Sequence, residues 1–293
     1  MTPALLTLAR RALQGEAKIG GSSVVLAAVS GGPDSMALLH VLARLAPKVG
    51  IVVHAHGVDH GLRAEAGAEL DAAAALAEEL GVPFGRTRVD VARGGNLQAR
   101  ARTARYEALA IAARTVSASA IATAHHADDR AETVLLRLLR GAGPRGLGVL
   151  PPRAALGETG IDLVRPLLRA RREEVLAHLD RHGVRFAKDP SNDDPRYLRT
   201  RVRHELMPLL ASLSPGIVGH LVALADQLAA APGDSASAFP LPRSTQTALA
   251  ELMRSGSASA RVWLPGGLVA TVDPRARPAS LSRARAGPRK SAN

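Results

Sequence analysis

Cysteine is absent from the 293 residues of this protein, and aromatic residues make up only 2% of them. The first absence excludes disulfide bonds, thiolate zinc sites, cysteine nucleophiles and iron–sulfur clusters held by cysteine. The second means that a core must be assembled from aliphatic side chains, since hydrophobic residues still account for 46% of the chain. Alanine-rich helices packed on valine-rich strands would supply such a core in an α/β domain.

Long apolar runs are also missing. No stretch approaches the roughly 20 apolar residues that a membrane-spanning helix needs. Charged residues interrupt the N-terminal segment too often for a signal peptide. We therefore expect no membrane association and a cytoplasmic location.

Lysine is scarce, although the chain is strongly basic. Lysine and arginine together number 38 against 26 acidic residues, which gives a net charge of +12. The only lysines are Lys18, Lys48, Lys188 and Lys290. An arginine-rich surface favours a polyanionic partner such as a nucleic acid. A genome that favours alanine, arginine and glycine is the competing interpretation of the same composition.

Short apolar strands alternate with helical patterns along the first half of the chain. The predicted strands are Val24–Val29, Ile51–Val53, Val82–Val89, Ala120–Thr123 and Ile161–Val164. The predicted helices between them are 33–45, 65–80, 97–113 and 128–140. Because strands that alternate with helices pair in parallel, the sequence predicts an α/β fold with a doubly wound, mostly parallel five-stranded sheet.

The second half of the chain changes character after the last predicted strand. Its predicted elements are helices at 171–181, 197–210, 217–230 and 245–253, a linker at 231–237, and a hairpin formed by 262–264 and 268–272. We therefore expect a main domain over 1–214, with a helical extension from about 166. A helical linker and a small α+β accessory domain should follow over 215–274, and a basic, disordered tail over 275–293.

The segment between the first strand and the first helix contains the strongest chemical motif, Ser30-Gly31-Gly32-Pro33-Asp34-Ser35. Glycines let the backbone approach an anion closely, and the N–H groups of the next helix point toward it. Asp34 cannot face phosphate directly without a cation, which implies either Mg²⁺ or a role oriented away from the phosphates. The motif is no Walker A loop, because it lacks the Gly-Lys-Ser/Thr sequence. An ordinary glycine turn is the alternative, and the strand–loop–helix context favours a phosphate loop.

A group of carboxylates follows the fourth predicted strand. Asp128, Asp129 and Glu132 open a helix directly after His125 and His126. At spacings of three and four residues these carboxylates share one helix face. They suit an ammonium group, a divalent metal or a proton acceptor, whereas acids that only stabilise the helix dipole are the structural alternative.

Two further motifs are ambiguous by themselves. Arg196, Arg199 and Arg203 fall on one helical face beside Tyr197, which suits RNA phosphates but also a solvated charged surface. The segment 141–146 fits the pattern GxGxxG literally. It follows a helix rather than a strand, so its context is wrong for dinucleotide binding.

Together these motifs resemble one family. The segment from Ser30 to Ser35 is similar to the PP-loop of N-type ATP pyrophosphatases, which cleave ATP between its α and β phosphates. Further motifs occur in the same order as in the tRNA(Ile)-lysidine synthases, at 56–63 (HGVDHGLR), 101–106 (ARTARY), 124–133 (AHHADDRAET), 137–150 (RLLRGAGPRGLGVL) and 189–203 (DPSNDDPRYLRTRVR). The resemblance covers about Val24 to Leu210.

The resemblance implies an adenine nucleotide alpha hydrolase-like sheet and a two-step ligase reaction. ATP would adenylate O2 of the wobble cytidine, position 34, of tRNA(Ile) with a CAU anticodon. Free L-lysine would then attack C2, so that lysidine forms and AMP and pyrophosphate leave. The implied cofactors are ATP and Mg²⁺, and the implied partners are that tRNA and lysine. The oligomeric state is left open, a homodimer included.

The resemblance also assigns site residues. The implied ATP-binding residues are Ser30, Gly31, Gly32, Pro33, Asp34, Ser35 and His56. The implied catalytic residues are Asp34, which would also position Mg²⁺ through pyrophosphate, and Asp128, Asp129 and Glu132, which would bind or deprotonate the lysine ammonium. The implied substrate- or tRNA-binding residues are Arg63, Arg105, Arg145, Arg196, Arg199 and Arg203. Two of them, Arg105 and Arg203, would contact phosphates of ATP or tRNA. The accessory domain over 215–274 would contact tRNA.

Three other functions compete with this interpretation. A tRNA-thiolating PP-loop enzyme usually needs cysteine for sulfur relay, and none is present. A metal-dependent phosphoesterase would use a second set of residues, namely Asp59, His60, His125, His126, Asp128 and Asp129. A non-catalytic RNA-binding protein would need only the basic surface, and the complete acidic cluster argues against it.

Overall fold

The computed structural model describes residues 4–61, 66–90, 97–187, 194, 196–230, 251, 262–264, 268–273 and 280–285. The chain divides into two compact units. The first comprises 1–136 and 148–229, and the second comprises 137–147 and 230–293. The sequence placed the boundary at 214, but the helix 217–230 belongs to the first unit through residue 229.

A six-stranded sheet forms the centre of the first unit. Its strands in chain order are β1 Val24–Val29, β2 Val52–Asp59, β3 Phe84–Arg88, β4 Ala120–Ala122, β5 Arg153–Ala155 and β6 Asp162–Val164. Their order across the sheet is β3-β2-β1-β4-β6-β5, and every pair is parallel except the antiparallel β5–β6 pair. All five predicted strands are confirmed, and β5 is an additional edge strand. The doubly wound, mostly parallel α/β fold is therefore confirmed.

The helices of the first unit lie close to their predicted positions, apart from α1, which the sequence did not predict. They are α1 Leu5–Arg11, α2 Pro33–Val49, α3 Ala66–Glu79, α4 Leu97–Thr115, α5 Ala127–Leu139, α7 Arg172–Arg181, α8 Leu198–Arg201, α9 Met207–Leu213 and α10 Ile217–Ala230, with α6 Pro144–Leu147 in the second unit. A π-helical segment, Val202–Leu206, joins α8 to α9, and another, Ala12–Glu16, extends α1. The predicted helix 197–210 is thus interrupted by a π-turn, a feature that often marks functional sites.

The core is aliphatic, as the composition predicts. Every buried hydrophobic side chain among the described residues is Ala, Val, Leu, Ile or Met. β1 is apolar on both faces: Val25 and Ala27 pack in one cluster, and Leu26 packs in the other with Leu109 and Ile121. This two-sided burial is expected of a central parallel strand that helices cover on both faces.

The sheet order places a crevice at one edge. β1 lies between β2 and β4, so the connections from β1 and from β4 leave in opposite directions. Ligands of open α/β sheets bind at such a switch point, beyond the carboxyl ends of the strands. The segment 30–35 follows β1 and the segment 123–129 follows β4, so both predicted motifs meet there.

Among the described residues, no single helix is long and apolar enough to cross a membrane. One pair of helices, 198–213 and 217–230, is long and apolar enough when its members are taken together, but the pair is bent by 100° at the break between them.

The second unit contains a three-stranded antiparallel sheet in addition to α6. Its strands are β7 Val262–Leu264, β8 Leu268–Asp273 and β9 Ser280–Arg285, in the order β7-β8-β9. The predicted hairpin is confirmed, while the predicted helix 245–253 and the turn 265–267 lie outside the described residues apart from residue 251. The prediction of disorder from 275 onward is wrong for 280–285. Strand pairing uses main-chain groups, which a basic side-chain composition does not remove.

A cluster of three histidines lies where α2 packs on α7. His40 Nδ1 is 2.9 Å from His178 Nε2, and the His182 ring centroid lies within 4.7 Å of both other rings. His40 and His178 are buried. Burial, together with the nearby Arg44 and the other rings of the cluster, lowers the pKa of His40 and of His178 to about 4.

This cluster predicts a loss of stability in mild acid. Both pKa values are lower in the folded chain than the ordinary 6.5, so between pH 6.5 and 4 only the unfolded chain takes up these protons. Each such proton costs about 1.4 kcal/mol per pH unit. With two such protons, we expect the free energy of unfolding, measured in urea, to fall by about 2–3 kcal/mol per pH unit in the middle of this window.

The matched variant carries His40→Leu and His178→Leu together, which removes both titrating groups and leaves the carboxylates that titrate below pH 5. Its stability should fall less steeply with acid than that of the parent chain. An unchanged slope would show that the two histidines do not carry the acid sensitivity.

Candidate active site

The segment after β1 is held in a turn by its own hydrogen bonds. The Ser30 backbone N–H donates to Ser35 Oγ at 3.1 Å, and Ser35 Oγ donates to the Gly32 carbonyl at 2.9 Å. The Ser30 and Ser35 hydroxyls are 3.2 Å apart. Gly32 precedes α2, and Pro33 occupies its first turn, where a missing N–H is tolerated. The first N–H groups of α2 therefore point out of the turn toward the crevice.

Gly31 can be no other residue in this turn. Its φ is +82°, which disfavours any side chain. A Cβ would also lie 2.5 Å from the Glu69 carbonyl oxygen of α3. The Gly31 carbonyl accepts a hydrogen bond of 2.9 Å from the Ala187 N–H, beyond α7. The turn is thus fixed between two parts of the first unit.

Asp34 directs one carboxylate oxygen into the crevice. Its Oδ1 is buried and has no hydrogen-bond partner among the described residues. His126 Nε2 lies 3.7 Å from this oxygen, and Arg172 Nη1 lies 3.8 Å from Oδ2. Burial, together with Asp129, raises the pKa of Asp34 above its ordinary value. An inward, unpartnered carboxylate oxygen suits a ligand that the crevice receives.

His126 lies at the centre of three carboxylates. Its side chain is fully buried, with Nε2 3.5 Å from Asp129 Oδ2 and Nδ1 3.6 Å from Asp128 Oδ2. Burial opposes its charge, but Asp128, Asp129 and Asp34 raise the pKa of His126 above the ordinary value. From the sequence, His126 was a candidate only in the phosphoesterase alternative. Its place just before Asp128 and Asp129 was the one sequence feature that could have indicated its position in this site.

Asp129 and Glu132 lie on one face of α5, as their spacing predicts. Arg199 Nη2 donates to Asp129 Oδ1 at 2.7 Å, and Arg199 Nε donates to Glu132 Oε2 at 3.0 Å. Arg203 donates to both oxygens of Glu132, at 2.7 and 3.1 Å. Arg199 and Arg203, which the resemblance assigns to tRNA, thus form ion pairs with the predicted catalytic carboxylates.

Asp128 has a different environment from the other two carboxylates. Its Oδ2 accepts the Arg172 backbone N–H at 2.8 Å, and the Arg171 guanidinium lies 3.1 Å from Oδ1. Although burial alone would raise it, hydrogen bonds from His126, Arg171 and Arg172 hold the pKa of Asp128 well below its usual range. Arg171 and Arg172 were not predicted as site residues, because no local pattern connects them to Asp128, which lies 43 and 44 positions earlier in the chain.

The remaining predicted binding residues are dispersed. Arg105 Nε donates to His60 Nε2 at 3.3 Å, and Arg196 pairs with Asp194 at the surface. His56 lies on β2 and its Nε2 is 2.9 Å from Thr87 Oγ1 of β3, on the side of β2 away from β1. Arg145 lies on α6 in the second unit. Arg63 lies outside the described residues.

The described part of the chain offers few groups that could bind a metal ion without help from a ligand. No cluster of three or more His, Asp or Glu side chains in these ranges could hold a metal ion. The phosphoesterase alternative, which needs such a cluster, therefore gains no support from the described residues. Magnesium that is bound mainly by phosphates needs only one or two carboxylates, and Asp34 fits that smaller requirement.

Comparisons with known proteins agree with this geometry. The family model of the PP-loop domain matches residues 6–210. A tRNA(Ile)-lysidine synthase of Novosphingobium aromaticivorans is 45% identical over 210 residues, which cover 71% of this chain and 64% of that protein. A tRNA(Ile)-lysidine synthase of Salinispora arenicola is 41% identical over 233 residues, which cover 78% of this chain and 69% of that protein. This chain belongs to the tRNA(Ile)-lysidine synthase family.

A solved structure supports the fold of this lysidine synthase family member. The U34-tRNA thiolase of Methanococcus maripaludis, solved with its [4Fe-4S] cluster, matches with a TM-score of 0.65 and 18% identity. The match covers 79% of this chain and 81% of that chain. At this identity the likeness concerns the fold alone.

Proposed function

We propose that this chain is an ATP-dependent ligase that converts the wobble cytidine of tRNA(Ile) with a CAU anticodon into lysidine. The proposal rests on family membership together with one observation: a phosphate-binding turn and an acidic helix face the same crevice. Adenylation of cytidine O2 makes that oxygen a leaving group. The ε-amine of free L-lysine then forms a bond to C2, and AMP leaves with the oxygen.

The turn from Ser30 to Ser35 would hold the phosphates of ATP. Its contribution would be the N–H groups at the start of α2, with the Ser30 hydroxyl as a further donor. The Ser35 hydroxyl donates to the Gly32 carbonyl and would have to change partner to bind phosphate. Asp34 would hold Mg²⁺, which supplies charge neutralisation for the departing pyrophosphate. Its unpartnered Oδ1 is the observation that supports this role.

The acidic helix would receive the lysine ammonium. Burial raises the pKa of Asp129, but His126 and Arg199 outweigh it and hold the carboxyl ionised, so this group can bind an ammonium and is a weak proton acceptor. Glu132 lies beside Asp129 on the same face of α5, and we assign it to binding the ammonium or accepting its proton. Asp128 is occupied by Arg171 and the start of α7, so we assign it an anchoring role rather than the catalytic role that the resemblance implies.

The arginines would change partners as substrates bind. Arg199 and Arg203 neutralise Asp129 and Glu132 in the arrangement described here. A lysine ammonium that reaches these carboxylates would free guanidinium groups beside the phosphate turn, where they suit phosphates of ATP or tRNA. Arg199 and Arg203 would then bind carboxylates before the substrates arrive and phosphates afterwards.

The proposed activity predicts a specific label transfer. The protein is incubated with ATP, Mg²⁺, radiolabelled lysine and a tRNA(Ile) transcript that carries the CAU anticodon. We expect label in the nucleic acid and one AMP for each lysine incorporated. A transcript with uridine at position 34 is the matched control and should take up no label. Release of ADP, or labelling of both transcripts alike, would contradict the proposal.

A further inference from the structure

One carboxylate on α10 contacts the back of the acidic helix. Asp226 Oδ1 accepts a hydrogen bond of 2.6 Å from Arg130 Nη1. Arg130 is fully buried, and its Nε donates to the Val149 carbonyl at 3.0 Å. α10 lies beyond residues 6–210, to which the family model applies. The contact therefore comes from outside the segment that the PP-loop domain model matches.

The position of Arg130 on α5 makes this contact important for the site. Arg130 lies about 100° around the helix from Asp129 and about 200° from Glu132. Its side chain thus leaves the helix away from the face that carries these two carboxylates. A buried, hydrogen-bonded side chain on that side fixes the rotation of α5, and with it the direction of the acidic face.

Asp226 also holds the segment that leads into α7. Its other oxygen, Oδ2, accepts a hydrogen bond from Arg169, and Arg169 Nε donates to Glu16 Oε1 at 2.9 Å. Arg169 is two residues before Arg171, whose guanidinium binds Asp128. One carboxylate therefore joins the two elements that together surround the acidic cluster.

We propose that Asp226 is a positioning residue for the lysine-binding carboxylates, acting through Arg130 on α5 and through Arg169 before α7. The hydrogen bonds of Asp226 go to Arg130 and Arg169 and not to the turn from Ser30 to Ser35. Its loss should therefore weaken amine binding and leave ATP binding unchanged. The kinetic part of this inference rests on the proposed function, whereas the structural part concerns only the order of α5.

The first experiment compares Asp226→Asn with Glu16→Gln in the full chain. Both variants remove a carboxylate partner of Arg169, but only the first removes the partner of Arg130. For Asp226→Asn we expect at least a tenfold rise in KM for lysine and KM for ATP within twofold of the parent. Amide exchange in 127–136 should become at least tenfold faster. Glu16→Gln should stay within twofold on all three measurements.

A second variant covers the case in which Asp226→Asn does not fold. Removing one partner leaves the buried Arg130 charge uncompensated, whereas Arg130→Met combined with Asp226→Leu removes both charges and fills the space. If this variant folds with parental lysine KM and parental exchange in 127–136, Asp226 only compensates charge and the positioning role is wrong. A raised lysine KM with unchanged ATP KM supports it.

The outcomes separate this inference from the proposed function. If the parent chain transfers no lysine at all, the proposed function fails, and amide exchange in 127–136 still decides the positioning role. Equal acceleration of exchange throughout the first unit in Asp226→Asn would indicate general destabilisation and would overturn the inference.

Discussion

Replacing Gly31 with alanine should reduce turnover at least 100-fold. The residue has a φ of +82°, and an added Cβ would lie 2.5 Å from the Glu69 carbonyl oxygen. The turn cannot easily move away from this clash. The clashing atom belongs to the backbone of α3, and the Gly31 carbonyl is hydrogen-bonded to the Ala187 N–H on the other side. The turn must therefore open or tilt, which moves the N–H groups away from the phosphates. Such preorganised donors contribute about 3–4 kcal/mol each to related transition states.

The measurement is the initial rate of AMP formation, together with ATP affinity and thermal unfolding. Gly81→Ala is the matched control, because Gly81 also has positive φ, +66°, and nothing lies within 4 Å of its added Cβ. Both variants carry a backbone penalty of about 1 kcal/mol, but only Gly31→Ala adds the clash. Gly81→Ala should keep turnover within twofold. Equal activity in the two variants would mean that the turn does not hold ATP.

Much of the fold could be predicted because local patterns and tertiary structure agree. β1 is an uninterrupted run of six apolar or small residues, and its burial on both faces follows directly from that composition. Gly81 and Gly141 follow the ends of α3 and α5 with positive φ, a conformation that glycine adopts readily after a helix. Where the signal was a continuous apolar run, as in β1, the prediction was confirmed.

The elements that the prediction missed depend on pairing rather than on composition. β5 is the sequence Arg153-Ala154-Ala155, which has no apolar run, and it forms because β6 offers a free edge. β9 contains two arginines and pairs with β8 for the same reason. The π-turn at 202–206 likewise has no local signature. Information about such elements lies in their neighbours, which are distant in sequence.

The candidate site was also only partly predictable from the sequence. The spacing of Asp129 and Glu132 predicts a shared helix face, and the structure confirms that face. The spacing could not reveal that Arg199 and Arg203 would lie against these carboxylates, because they are 70 and 71 positions away in the chain. A stripe of arginines is compatible with RNA, with solvent and with carboxylates of the same chain. Only the fold decides among the three.

Changing Glu132 to glutamine should remove most of the activity and part of the stability. Glu132 is 2% exposed and accepts three hydrogen bonds from Arg199 and Arg203. Glutamine preserves the shape, but its NH2 group would face a guanidinium donor, and two cations would lose a buried counter-charge. Breaking such a pair costs about 3–5 kcal/mol when it is deeply buried. Because the arginines are partly exposed, we expect about 2 kcal/mol in urea unfolding.

The kinetic effect should exceed what lost stability explains. If Glu132 takes the lysine proton, turnover should fall at least 100-fold at a temperature where the variant is fully folded. Glu205→Gln is the matched control, because Glu205 forms an exposed pair with Arg201 on the neighbouring helical turn; it should leave both measurements nearly unchanged. A Glu132→Gln variant that loses stability but keeps its lysine KM and turnover would limit Glu132 to anchoring the two arginines. The proton acceptor would then have to be another group in the crevice, since Asp128 and Asp129 are both held ionised by their cationic neighbours.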